Sequence, residues 1–262
     1  MKKLAGAIIL FVLLCQISVN TVSAACAEYS WFIKRNGNCQ PELTAEQKII
    51  YNYDGYYLDR RLSDDDNKKI LYLTFDCGYE NGNVEKILDV LKTENVPAAF
   101  FVLDNIILKN TDLVTRMNED GHLVCNHTKN HKNISNLSYD EIKNNLSALE
   151  MLYEEKTGNK MDKFFRFPEG RYSEEALSSV QKLGYKTIFW SFAYADWDNH
   201  RQPSVEKAIK KILDNTHNGA VILLHPNSET NAVILPALIR KWREMGYEFG
   251  TLYQLTEQPN EY

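Results

Sequence analysis

The chain has 262 residues, 44% of them hydrophobic and 25% charged, with a formal net charge of −5. That balance excludes a disordered polymer and supplies enough apolar mass for a sizeable core. It also excludes nucleic-acid binding through a broad basic patch, so an acidic ligand must be met by a few placed cations.

Met1-Lys2-Lys3, the apolar residues 4–19 and the small-residue pattern Val22-Ser23-Ala24 read together as a secretory signal peptide over residues 1–24. This predicts a secreted, extracytoplasmic protein of the cell envelope. Losing Lys2 and Lys3 takes the charge to −7. No later stretch approaches the ~20 apolar residues of a membrane span. Cys26, Cys39, Cys77 and Cys125 would reach a compartment where disulfides persist. Cys26 with Cys39 would clip the N-terminal segment, and Cys77 with Cys125 is a second pairing. Residues 25–68, rich in Tyr and Asn, are expected to form an extension wrapping the outside of a domain at 69–258.

In that domain short apolar runs alternate with helical patterns, the rhythm of βα units around a mostly parallel sheet or barrel. Strands are expected at 70–75, 98–103, 122–126, 164–167, 187–192, 220–224 and 248–253, and helices at 84–94, 112–120, 138–156, 173–183, 205–215 and 231–245. Ser138-Tyr-Asp-Glu141 is a capping-box pattern opening the longest helix, and Gly121, Gly184 and Gly246 stand where helices stop before strands.

Chemistry in α/β barrels gathers at the carboxyl ends of the strands. The polar residues there are Asp76, Cys77 and Tyr79; Asn126, His127 and His131; Arg166, Glu169 and Arg171; Asp196 and Trp197; and His225. His127 and His131, four apart, would share one face of a helical turn and converge on one cation, with ring nitrogens about 2.0–2.1 Å from zinc. His122, His200 and His217 fall outside this set and read as structural.

Five segments in this order resemble the polysaccharide deacetylases of the NodB-homology type, carbohydrate esterase family four: Thr74-Phe-Asp-Cys-Gly-Tyr79, His127 to His131, Arg166-Phe-Pro-Glu-Gly170, Asp196-Trp197 and Leu223-Leu-His225. The resemblance covers roughly residues 69–255. It implies a distorted (β/α)7 barrel and hydrolysis of an acetamide with the help of a divalent metal, expected to be zinc. By the resemblance, His127 and His131 hold the metal, Asp76 is the general base and His225 the general acid. Arg166 orients Asp76, Asp196 orients His225, and the Tyr79 N–H faces the oxyanion. Trp197, Leu223 and Pro168 would contact the substrate. Thr74-Phe-Asp-x-Gly-Tyr-Glu-Asn-Gly82 most resembles the spore-cortex enzymes that deacetylate N-acetylmuramic acid on the way to muramic δ-lactam, whose partner would be peptidoglycan glycan strands, after peptide removal by an amidase.

Two positions depart from the family pattern. Cys77 stands where most members have a metal-binding Asp, and its thiolate is a candidate third zinc ligand unless a Cys77–Cys125 disulfide removes it. Glu169 stands where close relatives often carry Arg, and Arg171 is expected to supply that cation to the lactyl carboxylate. The sequence leaves two alternatives: an N-acetylglucosamine deacetylase of chitin or peptidoglycan, and a catalytically silent glycan-binding homologue.

Overall fold

The computed structural model describes residues 27–257; the signal-peptide reading and Cys26 lie outside the described residues. The strands are β1 (Tyr29–Ser30), β2 (Gly55–Tyr56), β3 (Lys69–Cys77), β4 (Ala98–Val102), β5 (Leu123–Asn126), β6 (Asp162–Phe165), β7 (Arg171–Tyr172), β8 (Lys186–Ile188), β9 (Val221–Leu224) and β10 (Tyr247–Phe249). The helices are α1 (Val84–Thr93), α2 (Asp104–Lys109), α3 (Thr111–Glu119), α4 (Tyr139–Thr157), α5 (Glu174–Lys182), α6 (Val205–Leu213), α7 (Glu229–Glu244) and α8 (Leu252–Thr256). Every expected strand and helix is present; β1, β2, β7, α2 and α8 are additional. The last strand stops at Phe249 because Thr251 opens α8 with a capping box to Gln254. Ser138 and Glu141 cap α4 in the same way, and Gly121, Gly184 and Gly246 take φ of 83°, 82° and 86°, where a side chain would be strained.

β10, β3, β4, β5, β6, β8 and β2 are parallel neighbours in that order, and β9 also pairs with β3. A bridge between Phe192 and Ile222 brings the chain after β8 against β9 and closes the circuit. At the opposite ends of these two strands the extension fills the gap, β2 pairing with β8 and Leu58 bridging Ala220. This is the expected distorted (β/α)7 barrel with one difference: the extension does not only wrap the outside but adds a strand to the wall. Trp31 secures it, stacking on Phe189 at 4.3 Å and donating its indole N–H to the Trp190 carbonyl at 2.9 Å.

Alternation along β3 sorts the chemistry. Leu71, Leu73, Phe75 and Cys77 pack against the helix layer with Ile87 and Val102, whereas Tyr72 joins Phe101, Cys125 and Ile188 inside the barrel. Period two therefore places Thr74 and Asp76 inside as well, with Asp76 near the carboxyl end. The same rule corrects both readings of Cys77. Its thiol is buried in the helix-facing apolar cluster, on the face opposite Asp76 and outside the linings that contain the histidines, and burial pushes its pKa up, which favours the neutral thiol over a thiolate. Cys77 is level with Val102 and Asn126, whereas Cys125 is level with Phe101 and Asp76. Two strand spacings, about 9–10 Å, and opposite faces separate the thiols, beyond the ~7 Å reach of a disulfide; both are free.

His122, just before β5, is 3% exposed; it packs on Phe100 at 5.6 Å, and neither ring nitrogen has a hydrogen-bond partner. Burial takes its pKa down to about 4, with Asp120 opposing and Arg116 assisting. The unfolded chain therefore takes up this proton first, and stability falls as pH drops from about 6.5 to 4, by about 3 kcal/mol in the limit. His122→Leu is expected to flatten that acid limb in urea unfolding at pH 7 and pH 4.5; equal acid losses in both proteins would contradict the assignment.

Candidate active site

The site is built on strand ends that face one another across the barrel mouth. Arg166 follows β6 and turns inward, where it is fully buried. Its guanidinium lies 4.2 Å from the Phe101 ring and donates to Asp76 Oδ1 at 2.8 Å, Thr74 Oγ1 at 2.9 Å and the Ile188 carbonyl at 3.0 Å. Burial raises the Asp76 pKa, but the charge and hydrogen bond of Arg166, with the facing His225, oppose it, and the carboxyl is held below its usual range. Asp76 is ionised at neutral pH.

His127 enters from the end of β5, where a register shift at Cys125/Asn126 re-aims the chain. Its Nδ1 lies 2.8 Å from the Arg166 carbonyl, an acceptor only, so Nδ1 carries the hydrogen and Nε2 keeps a lone pair. Nε2 is buried with no hydrogen-bond partner and lies 3.5 Å from Asp76 Oδ2. Burial takes the His127 pKa down to about 4, so the ring is neutral near pH 7. The His131 ring stands 5.0 Å away, centroid to centroid. The convergence is not made by a helical turn, as the spacing suggests: residues 127–131 form an irregular bend in which Thr128 and His131 take φ of 70° and 58°.

An orphaned, neutral, buried imidazole nitrogen beside a second imidazole fits a divalent metal. The fitting donors are His127 and His131, with Asp76 at the edge; among the described residues no third His, Cys, Asp or Glu completes a three-ligand cluster.

His225 follows β9. Asp196 grips it twice, Oδ1 accepting from Nδ1 at 2.7 Å and Oδ2 from the backbone N–H at 2.9 Å, and Asn231 Nδ2 donates to the same Oδ2 at 2.6 Å. Burial lowers the His225 pKa, yet the Asp196 carboxylate more than restores it, and the net shift is upward. With Nδ1 engaged, Nε2 is left for the cavity. The two ion pairs are thus Arg166 with Asp76 and His225 with Asp196.

Asp76, His131, Trp197, His225 and Leu223 line a cavity of about 570 Å³, with Glu169, Trp190, Ala193 and Tyr194 on its other walls. An adjoining recess of about 230 Å³ is lined by Asp76, Tyr79, His127, His131, Trp197 and His225. Tyr79 is on the rim, its hydroxyl accepting from Asn199 and Asn227, both at 3.0 Å. Two expected substrate contacts are placed elsewhere. Pro168 is buried and lies outside the cavity lining. Arg171 is held by Glu28, which accepts from Nε at 2.9 Å and also from Nη2, and Glu169 lies 3.8 Å from Nη1. Its charge is answered by the chain's own acids. Thr74, Asn227 and Asn231 were not singled out from the sequence; Thr74 shares the Asp76 face at period two, whereas nothing in the sequence marks the two asparagines.

Residues 63–188 match the family model for polysaccharide deacetylase. The peptidoglycan-N-acetylmuramic acid deacetylase PdaA of Bacillus subtilis is 35% identical over 86% of this chain and 85% of its own. The chain belongs to the polysaccharide deacetylase family. The structure of Bacillus subtilis PdaA, a family 4 carbohydrate esterase, matches with a TM-score of 0.82 and 33% identity, over 88% of this chain and 97% of that one. An uncharacterized 30.6 kDa protein of Geobacillus stearothermophilus is 39% identical over 86% of this chain and 84% of its own. A peptidoglycan-N-acetylglucosamine deacetylase of Bacillus cereus is 29% identical over 72% and 89%. As a family member the chain is a hydrolase of acetamide bonds, in agreement with the motifs.

Replacing Asp196 by Asn removes the charge that raises the His225 pKa. The alkaline limb of kcat/KM for deacetylation is expected to move to lower pH by about one unit or more; an unmoved limb would show that Asp196 does not set the protonation of His225.

Proposed function

We propose that the chain is a secreted, metal-dependent peptidoglycan N-deacetylase acting on N-acetylmuramic acid, on the route to muramic δ-lactam. The observation that carries the chemistry is the pairing of two groups facing one cavity: Asp76 with Arg166 at 2.8 Å, which favours the ionised carboxylate, and His225 with Asp196 at 2.7 Å, which favours the proton-bearing imidazole. Amide hydrolysis needs both at once, because resonance makes the carbonyl a poor electrophile and the amine a poor leaving group.

In this reading Asp76 takes the proton of the attacking water, and Arg166 keeps the carboxylate aimed and charged. His225 delivers its Nε2 proton to the sugar nitrogen as the C–N bond breaks, and Asp196 stabilises the imidazolium until that moment. The Tyr79 backbone N–H faces the oxyanion, while Leu223 and Trp197 wall the space for the acetyl methyl group. A divalent ion held by His127 and His131 would polarise the acetyl carbonyl and acidify the water.

The choice of sugar is supported by the similarity to PdaA over most of both chains. One observation favours a second reading, N-acetylglucosamine as substrate. Among the described residues, those lining the cavity include no Lys or Arg to meet a lactyl carboxylate, and Arg171 is paired with Glu28.

Metal-stripped protein resupplied with zinc is expected to release acetate from peptide-free glycan strands and not from chitin oligomers. The release is expected to require zinc and to fall ~10²–10⁴-fold in Asp76→Asn. Release from chitin alone would establish the glucosamine reading, and release unaffected by Asp76→Asn would remove the proposed base.

A further inference from the structure

His131 is an exposed side chain on a backbone held at φ 58°, and Thr128, three residues earlier, is held at φ 70°. Non-glycine residues in this region are strained and persist only where their surroundings over-determine them. On the N-terminal side the constraint is local. Asn126 Oδ1 accepts from the Thr128 N–H at 3.0 Å, Asn145 Oδ1 from the Lys129 N–H at 2.9 Å, and the Asp104 N–H donates to the Lys129 carbonyl at 2.9 Å.

On the C-terminal side the constraint comes largely from the extension. Glu28, in the extension, accepts from Asn133 Nδ2 at 2.7 Å, from Ser135 Oγ and from Asn136 Nδ2 at 3.4 Å, while its other oxygen holds Arg171. Ser173 Oγ donates to the Ser135 carbonyl at 2.5 Å, and Ile134 is buried in the cluster that contains Trp31. A single carboxylate therefore ties the chain just past His131 to β7 and to the extension.

We infer that Glu28 is a positioning residue for the two-histidine site: by fixing residues 133–136 it keeps His131 in the left-handed conformation that presents its ring to His127. This rests on the metal reading of the proposed function. It makes the extension a working part of the site. With the clamp released, His131 is free to relax to an ordinary backbone conformation, and its imidazole leaves the His127 ring.

The test is zinc affinity of the full chain, read by competition with a chromophoric chelator, beside the melting temperature. Glu28→Ala is expected to weaken zinc binding tenfold or more. Glu28→Gln, which keeps an acceptor for Ser135 but not the charge facing Arg171, is expected to fall between it and the parent. Gln47→Ala loosens the same extension elsewhere, where Gln47 Nε2 donates to the Phe32 carbonyl at 2.7 Å, and is expected to lower the melting temperature with zinc affinity unchanged. If Glu28→Ala does not fold, Glu28→Gln decides. Parent-like zinc affinity in the folded Glu28 variants, or a loss in Gln47→Ala of the same size, overturns the inference. A parent chain with no zinc affinity overturns the metal reading itself, and the inference with it.

Discussion

The ion pair between Arg166 and Asp76 is the constraint on which the site depends. A guanidinium with no exposure, inside a barrel otherwise filled by Tyr72, Phe101, Phe164 and Ile188, is costly unless its donors and its charge are answered. Thr74 and the Ile188 carbonyl answer donors; among the described residues Asp76 alone answers the charge. Removing one partner of such a pair typically costs about 3–5 kcal/mol. The reciprocal effect is chemical. Arg166 keeps ionised a carboxyl that burial would otherwise neutralise, and its backbone carbonyl fixes the tautomer of His127. One residue thus orders both the proposed base and the first candidate metal ligand.

Across the cavity the same physics runs in the opposite sense. Asp196 is as buried as Arg166 and faces an imidazole, so its charge favours the proton-bearing form of His225. Two aspartates on one barrel mouth hold opposite proton states in place, one by accepting from a permanent cation and one by creating a titratable one. Pairs of titratable groups pushed apart by their surroundings are how a single site runs acid and base chemistry at one pH.

Much of this was legible in the sequence because two periodicities carry it. The alternation of apolar runs and helical patterns predicts the βα units, and collecting the polar residues at strand ends brings together Asp76, His127, His131, Arg166, Asp196 and His225. The failures have equally specific causes. Cys77 follows Asp76 in sequence, but period two sends adjacent side chains to opposite faces. The His-x-x-x-His spacing suggests a helical turn, but the rings meet through left-handed residues, which spacing does not reveal. Arg171 looks like a free cation because its partner, Glu28, is 143 residues away. The strand contributed by the extension is two residues long, too short for any pattern.

Carboxyl and imidazole NMR titration of the folded chain measures directly whether Asp76 and His225 hold opposite proton states in the resting site. At pH 6.5 an ionised Asp76 carboxylate and a His225 ring carrying both protons in most molecules are expected. A protonated Asp76, or a His225 that is mostly neutral at that pH, would contradict this.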